Sequence, residues 1–131
     1  MPVNSSRKLF TDERGVLYLF FGGSGDWHGL RPNVADVLRS YNKEGVLVIA
    51  KKYRSKVDIC VGPLSALIKN LNKFPTTQKG DLHFHTVLTE DGMYVEEAPA
   101  LYLNIVATKL RDSFRRDLGK LEEISKIINI E

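Results

Sequence analysis

The chain has 131 residues, of which 43% are hydrophobic and 27% are charged. This length predicts a single domain over residues 1–131, and this composition excludes a chain that is disordered throughout. The single cysteine, Cys60, cannot form an intramolecular disulfide, so it favours a reducing, cytoplasmic location. No apolar stretch is as long as a membrane span, and the polar start MPVNSSRK lacks a signal-peptide core, so we expect no membrane partner.

The net charge of +3 conceals a difference between the two halves of the chain. Residues 1–80 hold 13 lysines and arginines against 6 acidic residues, a balance of +7. Residues 81–131 hold 6 against 10, a balance of −4. A basic half predicts a surface suited to a polyanion, and the alternative is solvated charge scattered over the whole surface.

The first forty residues alternate between polar and apolar segments. In order, the pattern predicts a loose N-terminus over 1–8, a buried strand over 16–21, a flexible glycine-rich loop over 22–29 and a helix from Pro32 to about Tyr41. The middle of the chain continues with β-branched runs and a second apolar helical stripe. It predicts strands over 46–50 and 57–61, joined by a basic turn over 51–56, and a helix over 64–74.

Residues 81–97 predict a β-hairpin, because alternating residues flank the turn pair Asp91-Gly92. One face of this hairpin is apolar and consists of Leu82, Phe84, Leu88 and Val95. The other face is polar and consists of His83, His85, Tyr94 and Glu96. The polar face places two imidazoles and a carboxylate close together on a rigid element.

The C-terminal part of the chain is predicted to be helical. Residues 100–107 fit a helix that begins near Pro99, although they alternate as well as a strand does. Large apolar residues then recur at spacings of three and four, which predicts a long amphipathic helix over 108–131. Because its last turns carry further isoleucines, this helix is a candidate dimerisation element, and we expect a homodimer.

These elements give the order β-α-β-β-α-β-β-α. The predicted fold class is α+β, an antiparallel-rich sheet with ferredoxin-like βαββαβ order, packed by helices that include the long C-terminal one.

The turn over 51–56 suggests the first function, nucleic-acid binding by a non-catalytic protein. Its candidate residues are Lys51, Lys52, Tyr53, Arg54 and Lys56. Cations gathered on a projecting hairpin neutralise phosphates, and an aromatic side chain stacks on a base. Trp27, in the glycine-rich loop, is a second candidate for stacking. The alternative is an exposed charged turn that keeps the sheet edge from pairing.

The two histidines suggest the second function, a metal-dependent nuclease. Neutral imidazole is the commonest ligand of first-row divalent metals, and the expected cofactor is a divalent metal, Mn, Mg or Zn. A third ligand comes from Glu96 or from a loop residue such as Asp26 or His28. The segment GDLHFHTVL resembles the His-hydrophobic-His strand of HUH endonucleases, the nickases of rolling-circle replication, transposition and conjugation.

That resemblance implies that His83 and His85 hold a divalent cation that polarises the scissile phosphate. It also implies a helical tyrosine nucleophile, for which the candidate is Tyr102, although Val106 stands where the family usually has lysine. The alternative is a solvated hairpin face on which polar residues are expected. A third hypothesis is a structural or interaction protein without a ligand.

Overall fold

The computed structural model describes residues 2–3 and 6–110. Within these residues the chain forms nine strands, two α-helices and one short 3₁₀ turn. The strands are β1 (Pro2–Val3), β2 (Ser6–Thr11), β3 (Leu17–Gly23), β4 (Trp27–Leu30), β5 (Gly45–Lys52), β6 (Lys56–Pro63), β7 (Leu82–Leu88), β8 (Gly92–Val95) and β9 (Ala98–Leu110). The helices are α1 (Pro32–Ser40) and α2 (Leu64–Lys69), and the 3₁₀ turn is Leu71–Lys73.

The strands form one mixed sheet with the order β1-β2-β3-β5-β6-β9-β8-β7-β4. Only β3 and β5 pair in parallel among the described strands, and β4 and α1 lie between them in the chain. A parallel pair needs such a crossover, because the chain must return to the same end of the sheet before it starts the second strand. Every other neighbouring pair in this sheet is antiparallel.

The larger core lies on the face of the sheet that α1 and α2 cover. Both helices contribute buried apolar residues to it, and so do β2 to β9. The alternation of side chains along a strand sends the intervening residues to the opposite face. There a second buried cluster forms on β2, β3, β5 and β6, and its members are Phe10, Tyr18, Phe20, Val48, Ala50, Val57 and Ile59. The strands of this half of the sheet are therefore apolar on both faces.

The predicted ferredoxin-like order is wrong. Residues 98–110 form the long strand β9, which lies between β6 and β8, so the predicted helix over 100–107 does not exist. The alternation of Leu101 and Leu103 with Tyr102 and Asn104 fits a strand that is buried on one face, and pairing on both edges selects that structure. Of the predicted helix over 108–131, residues 108–110 belong to β9 and the rest lies outside the described residues.

Two segments that the sequence predicted to be loops are strands. Residues 6–11 form β2, which pairs with β3, and residues 6–8 of this strand belong to the predicted loose N-terminus. The glycine-rich segment 22–29 ends β3, turns at 24–26 and begins β4, which pairs with β7. Backbone pairing compensates here for the weak strand propensity of glycine. The predicted helix from Pro32 and the strands around 46–50 and 57–61 are confirmed.

The predicted hairpin is present, with its histidine face and apolar face as expected, but its turn is displaced. Val87 lies opposite Tyr94 and Leu88 opposite Met93, so Glu90 and Asp91 occupy the turn. Gly92 instead begins β8, where the backbone of Leu103 on β9 passes so closely that a Cβ atom at Gly92 would overlap the Leu103 carbonyl. Glycine is needed here for close approach of two strands, and not for the turn. Leu88 ends up 44% exposed, at the end of the apolar face.

Among the described residues, no helix has the length and apolarity needed to cross a membrane.

Replacing Gly92 by alanine tests this close approach. We expect Gly92→Ala to lower the free energy of unfolding by about 2 kcal/mol or more, because the new methyl group meets backbone atoms that cannot move aside without breaking the β8–β9 ladder. Gly25→Ala is the matched control, since nothing lies within 4 Å of a Cβ atom there. Urea unfolding of the two variants and the parent measures the difference. Equal stability of the Gly92 and Gly25 variants would contradict the described packing.

Candidate functional site

Lys51 lies at the end of β5, but it does not project into solvent as the sequence predicted. Its ammonium group donates a hydrogen bond of 2.6 Å to the carbonyl of Ser24 and forms an ion pair of 2.7 Å with Asp26. Only 7% of Lys51 is exposed. Since Asp26 already neutralises this charge, Lys51 contributes a link between the β5 end and the 24–26 turn and is not a phosphate ligand.

The other cations of the 51–56 segment are more accessible. Arg54 and Lys56 are exposed, and Lys52 is half-buried. The Lys56 ammonium group lies 5.1 Å from the centroid of the Tyr53 ring and 3.9 Å from the buried carboxylate of Asp58. We refer to Lys52, Arg54 and Lys56 as the hairpin cations. The single projecting cluster of four cations that the sequence predicted is thus reduced to three.

Asp26 connects the 51–56 segment, through Lys51, to the histidine face. Its carbonyl accepts a hydrogen bond of 2.9 Å from the backbone N–H of Thr86 on β7, while its carboxylate holds Lys51. The next residue, Trp27, lies directly opposite His85. The two sites that the sequence predicted separately, the basic hairpin and the histidine pair, therefore lie at one end of the sheet.

Trp27 and His83 lie together on the outer face of this end. Their ring centroids are 5.8 Å apart with an angle of 25° between the ring planes. The His83 and His85 rings are also 5.8 Å apart, but their planes are nearly perpendicular. His83 is thus a neighbour of both the indole and the His85 ring.

His85 is bound by Glu97 through both its backbone and its side chain. The backbone N–H of His85 donates to one carboxylate oxygen at 2.8 Å, and Nδ1 lies 2.7 Å from the other. The backbone N–H of Glu96 in turn donates to the His85 carbonyl at 2.8 Å. His85, Glu96 and Glu97 each offer a ligand atom, and these atoms lie within 4.8 Å of one another. These three residues, which we call the His-Glu-Glu cluster, can hold a metal ion.

The His85–Glu97 contact changes the ionisation of both groups. The hydrogen bond to Glu97 raises the pKa of His85. Burial alone would raise the pKa of Glu97, but the hydrogen bonds from His85 outweigh it and lower that pKa. A carboxylate that binds one ring nitrogen fixes the orientation of the imidazole.

His28 lies on the opposite face of β4 from Trp27 and is 6% exposed. Its ring lies 5.3 Å from those of Phe21 and Phe84, and its Nε2 is buried without a hydrogen-bond partner among the described residues. Burial, followed by the nearby charges of Lys8 and Lys51, lowers the pKa of His28 to about 4. His28 is therefore a neutral core residue and not the third metal ligand that the sequence suggested.

Tyr102 does not lie near the His-Glu-Glu cluster. It belongs to β9 and lies opposite Tyr94, which lies opposite Val87, so it is two strands across and two residues along from His85, about 12 Å. Its hydroxyl group shares a hydrogen bond of 2.6 Å with Thr89. The structure therefore does not place this tyrosine where the nickase resemblance requires a nucleophile.

Glu97 is the site residue that the sequence did not predict. The expected register extended β8 through Glu96, whereas β8 ends at Val95 and the following turn carries Glu97 back to His85. The available signal was the acidic pair Glu96-Glu97 directly after a strand, but only the bend of the chain decides which of the two reaches the imidazole.

Comparison with known proteins finds no matching family, no matching curated protein and no matching solved structure.

The buried His28 predicts a pH dependence of stability. Between pH 6.5 and about pH 4 the unfolded chain binds a proton at His28 while the folded protein does not. Neutral His28 therefore contributes fully to the free energy of unfolding above pH 6.5. As the pH falls towards 4, the free energy of unfolding decreases by roughly 3 kcal/mol.

The variant His28→Leu keeps an apolar side chain between the two phenylalanine rings and removes the titration. We expect the free energy of unfolding of the variant to fall less than that of the parent between pH 6.5 and about pH 4, as measured by urea unfolding. Identical pH profiles for the two proteins would show that His28 is not held neutral.

Proposed function

We propose that this protein binds nucleic acid at the end of the sheet formed by the hairpin cations and the outer face of β4 and β7. The observation that carries the proposal is the Lys51–Asp26 ion pair, because it holds the basic hairpin beside Trp27 and the two histidines. Cations for phosphate and an exposed aromatic ring for a base are the two components of single-strand binding sites.

The hairpin cations supply the electrostatic part of this binding. Arg54 and Lys56 are exposed, so a phosphate can reach them at little desolvation cost. Lys51 serves the same site indirectly, by fixing the position of the 24–26 turn.

Removing the hairpin cations tests this function. We expect Lys52→Ala/Arg54→Ala/Lys56→Ala to weaken binding of single-stranded DNA or RNA and to reduce the slope of log affinity against log salt by ~0.7 for each phosphate that the variant no longer neutralises. Fluorescence anisotropy over a series of salt concentrations measures both effects.

The matched control is Lys43→Ala/Lys69→Ala/Lys73→Ala. These three lysines are exposed and lie outside the 51–56 segment, so the control removes equal charge from another part of the surface. An equal loss of affinity in the two triple variants would indicate a general charge effect and would contradict a site at the hairpin. Binding that does not respond to salt would contradict it as well.

We infer a second function for the same end of the sheet, the binding of a divalent metal ion by the His-Glu-Glu cluster. One imidazole and two carboxylates are donors that suit Mn²⁺ and Zn²⁺, and Mg²⁺ accepts the carboxylates. Ligand atoms ~2.1 Å from a tetrahedral ion lie ~3.4 Å apart, and the ligand atoms of the cluster lie within 4.8 Å of one another, so a small movement of a side chain brings them to an ion. Glu96 is exposed and free to change its rotamer, so it can supply that movement.

A thermal unfolding assay tests the metal site without nucleic acid. We expect Mn²⁺ to raise Tm by several degrees at saturation and a chelator to reverse the rise, because an ion that binds only the folded state stabilises it by roughly 3 kcal/mol at a hundredfold excess over Kd. Glu96→Gln should remove most of this rise and leave Tm in the chelator unchanged. Glu90→Gln, an exposed acidic residue in the same hairpin, is the control. A rise that survives in the Glu96 variant would place the ion elsewhere.

A further inference from the structure

Trp27 is the most unusual exposed residue at this end of the sheet. The side chain of tryptophan is mostly buried in folded proteins, yet this residue is 53% exposed. Its ring lies near that of His83 at an angle of 25°, so the two rings are almost parallel. An aromatic ring in this position has support on one side and solvent on the other.

Gly29 provides the space that the indole occupies. A Cβ atom at this position would lie 2.8 Å from Cη2 and 3.1 Å from Cζ3 of Trp27, closer than side chains normally approach. The six-membered part of the indole therefore lies across the backbone of Gly29. Because Gly29 lies opposite His83 and Trp27 opposite His85, all four residues belong to one small area of the sheet.

We propose that Trp27, supported by Gly29 and His83, is the stacking surface for an unpaired base, so that the ligand class is single-stranded nucleic acid. This inference rests on the proposed nucleic-acid binding and names the part of the ligand that Trp27 recognises. A duplex keeps the faces of its internal bases covered by their neighbours, whereas a single strand can place a base on an aromatic side chain.

The charges around the indole favour this ligand over an apolar protein partner. The Lys51–Asp26 ion pair joins the end of β5, next to the hairpin cations, to the turn that precedes Trp27, and the polar His85–Glu97 contact lies on the strand opposite. A tryptophan that anchors a protein interface is usually ringed by contacts that exclude water. The neighbours of Trp27 on this face are instead two histidines and a glycine.

The fluorescence of the protein reports directly on this site, because Trp27 is the single tryptophan of the chain. The probes are oligothymidylate, a fully paired DNA hairpin of equal charge, and polyphosphate, which has the charge but no base. We expect oligothymidylate to quench the emission strongly and to bind more tightly than the paired hairpin. Polyphosphate should bind without comparable quenching.

Substitutions at two positions, Trp27 and Gly29, separate the contribution of the ring from that of its placement. Trp27→Ala should weaken oligothymidylate binding by about tenfold or more with little change in the salt slope, since the phosphate contacts remain. Trp27→Phe should retain most of the affinity. Gly29→Ala keeps the indole but displaces it, so it should weaken binding as well, and it should also reduce quenching. Leu88→Ala is the control, because Leu88 is an exposed apolar residue at the far end of β7.

The outcomes distinguish this inference from the function on which it rests. Unchanged affinity of Trp27→Ala for oligothymidylate, or equal affinity of the parent for paired and unpaired DNA, overturns the stacking surface. If polyphosphate binding still depends on the hairpin cations in that case, nucleic-acid binding stands and only the role of Trp27 fails. If oligothymidylate does not bind at all, both fail.

Discussion

The structure depends on β9, which pairs with β6 along one edge and with β8 along the other. Without these two ladders the described strands would form two separate sheets, one ending at β6 and one containing β8, β7 and β4. The buried residues Leu101 and Leu103 tie this strand to the larger core beneath the helices. The close passage of β9 over Gly92 is the most restrictive contact in this arrangement, because it leaves no room for a side chain.

Joining the two parts of the sheet also assembles the candidate site. The basic hairpin belongs to the β6 side, whereas β4 and β7 belong to the far edge, and the ion pair between Lys51 and Asp26 connects them. Because of this ion pair, Lys51 no longer faces solvent. In return the 24–26 turn is fixed, and Trp27 and the two histidines acquire defined positions on the outer face. A site made in this way combines positive charge, an aromatic ring and metal-binding donors over a small area.

The three histidines illustrate how strongly the surroundings decide the chemistry of one side chain. His28 lies among phenylalanine rings, and its neutral form is favoured because burial penalises charge. His85 accepts a carboxylate neighbour and holds its proton more tightly. His83 contributes a ring face to the tryptophan beside it. His83 and His85 lie two residues apart on β7, and His28 lies on the neighbouring strand β4. These positions alone do not predict the different roles of the three side chains.

The amino-acid sequence by itself determined the local elements whose residue pattern is compatible with only one secondary structure. The helix at Pro32 and the two-faced hairpin with its histidines are of this kind, because their periodicity allows only one face to be buried. The β-branched strands on either side of the basic turn are also of this kind, because a short, continuous apolar run favours a strand that is buried on both faces. Only the tertiary structure decided that residues 98–110 form a strand, that Lys51 turns inwards and that Glu97 binds His85. The physical reason is that each of these results depends on a partner distant in the chain, and an alternating pattern, a lysine or a pair of glutamates is compatible with several partners until the backbone brings one of them within reach.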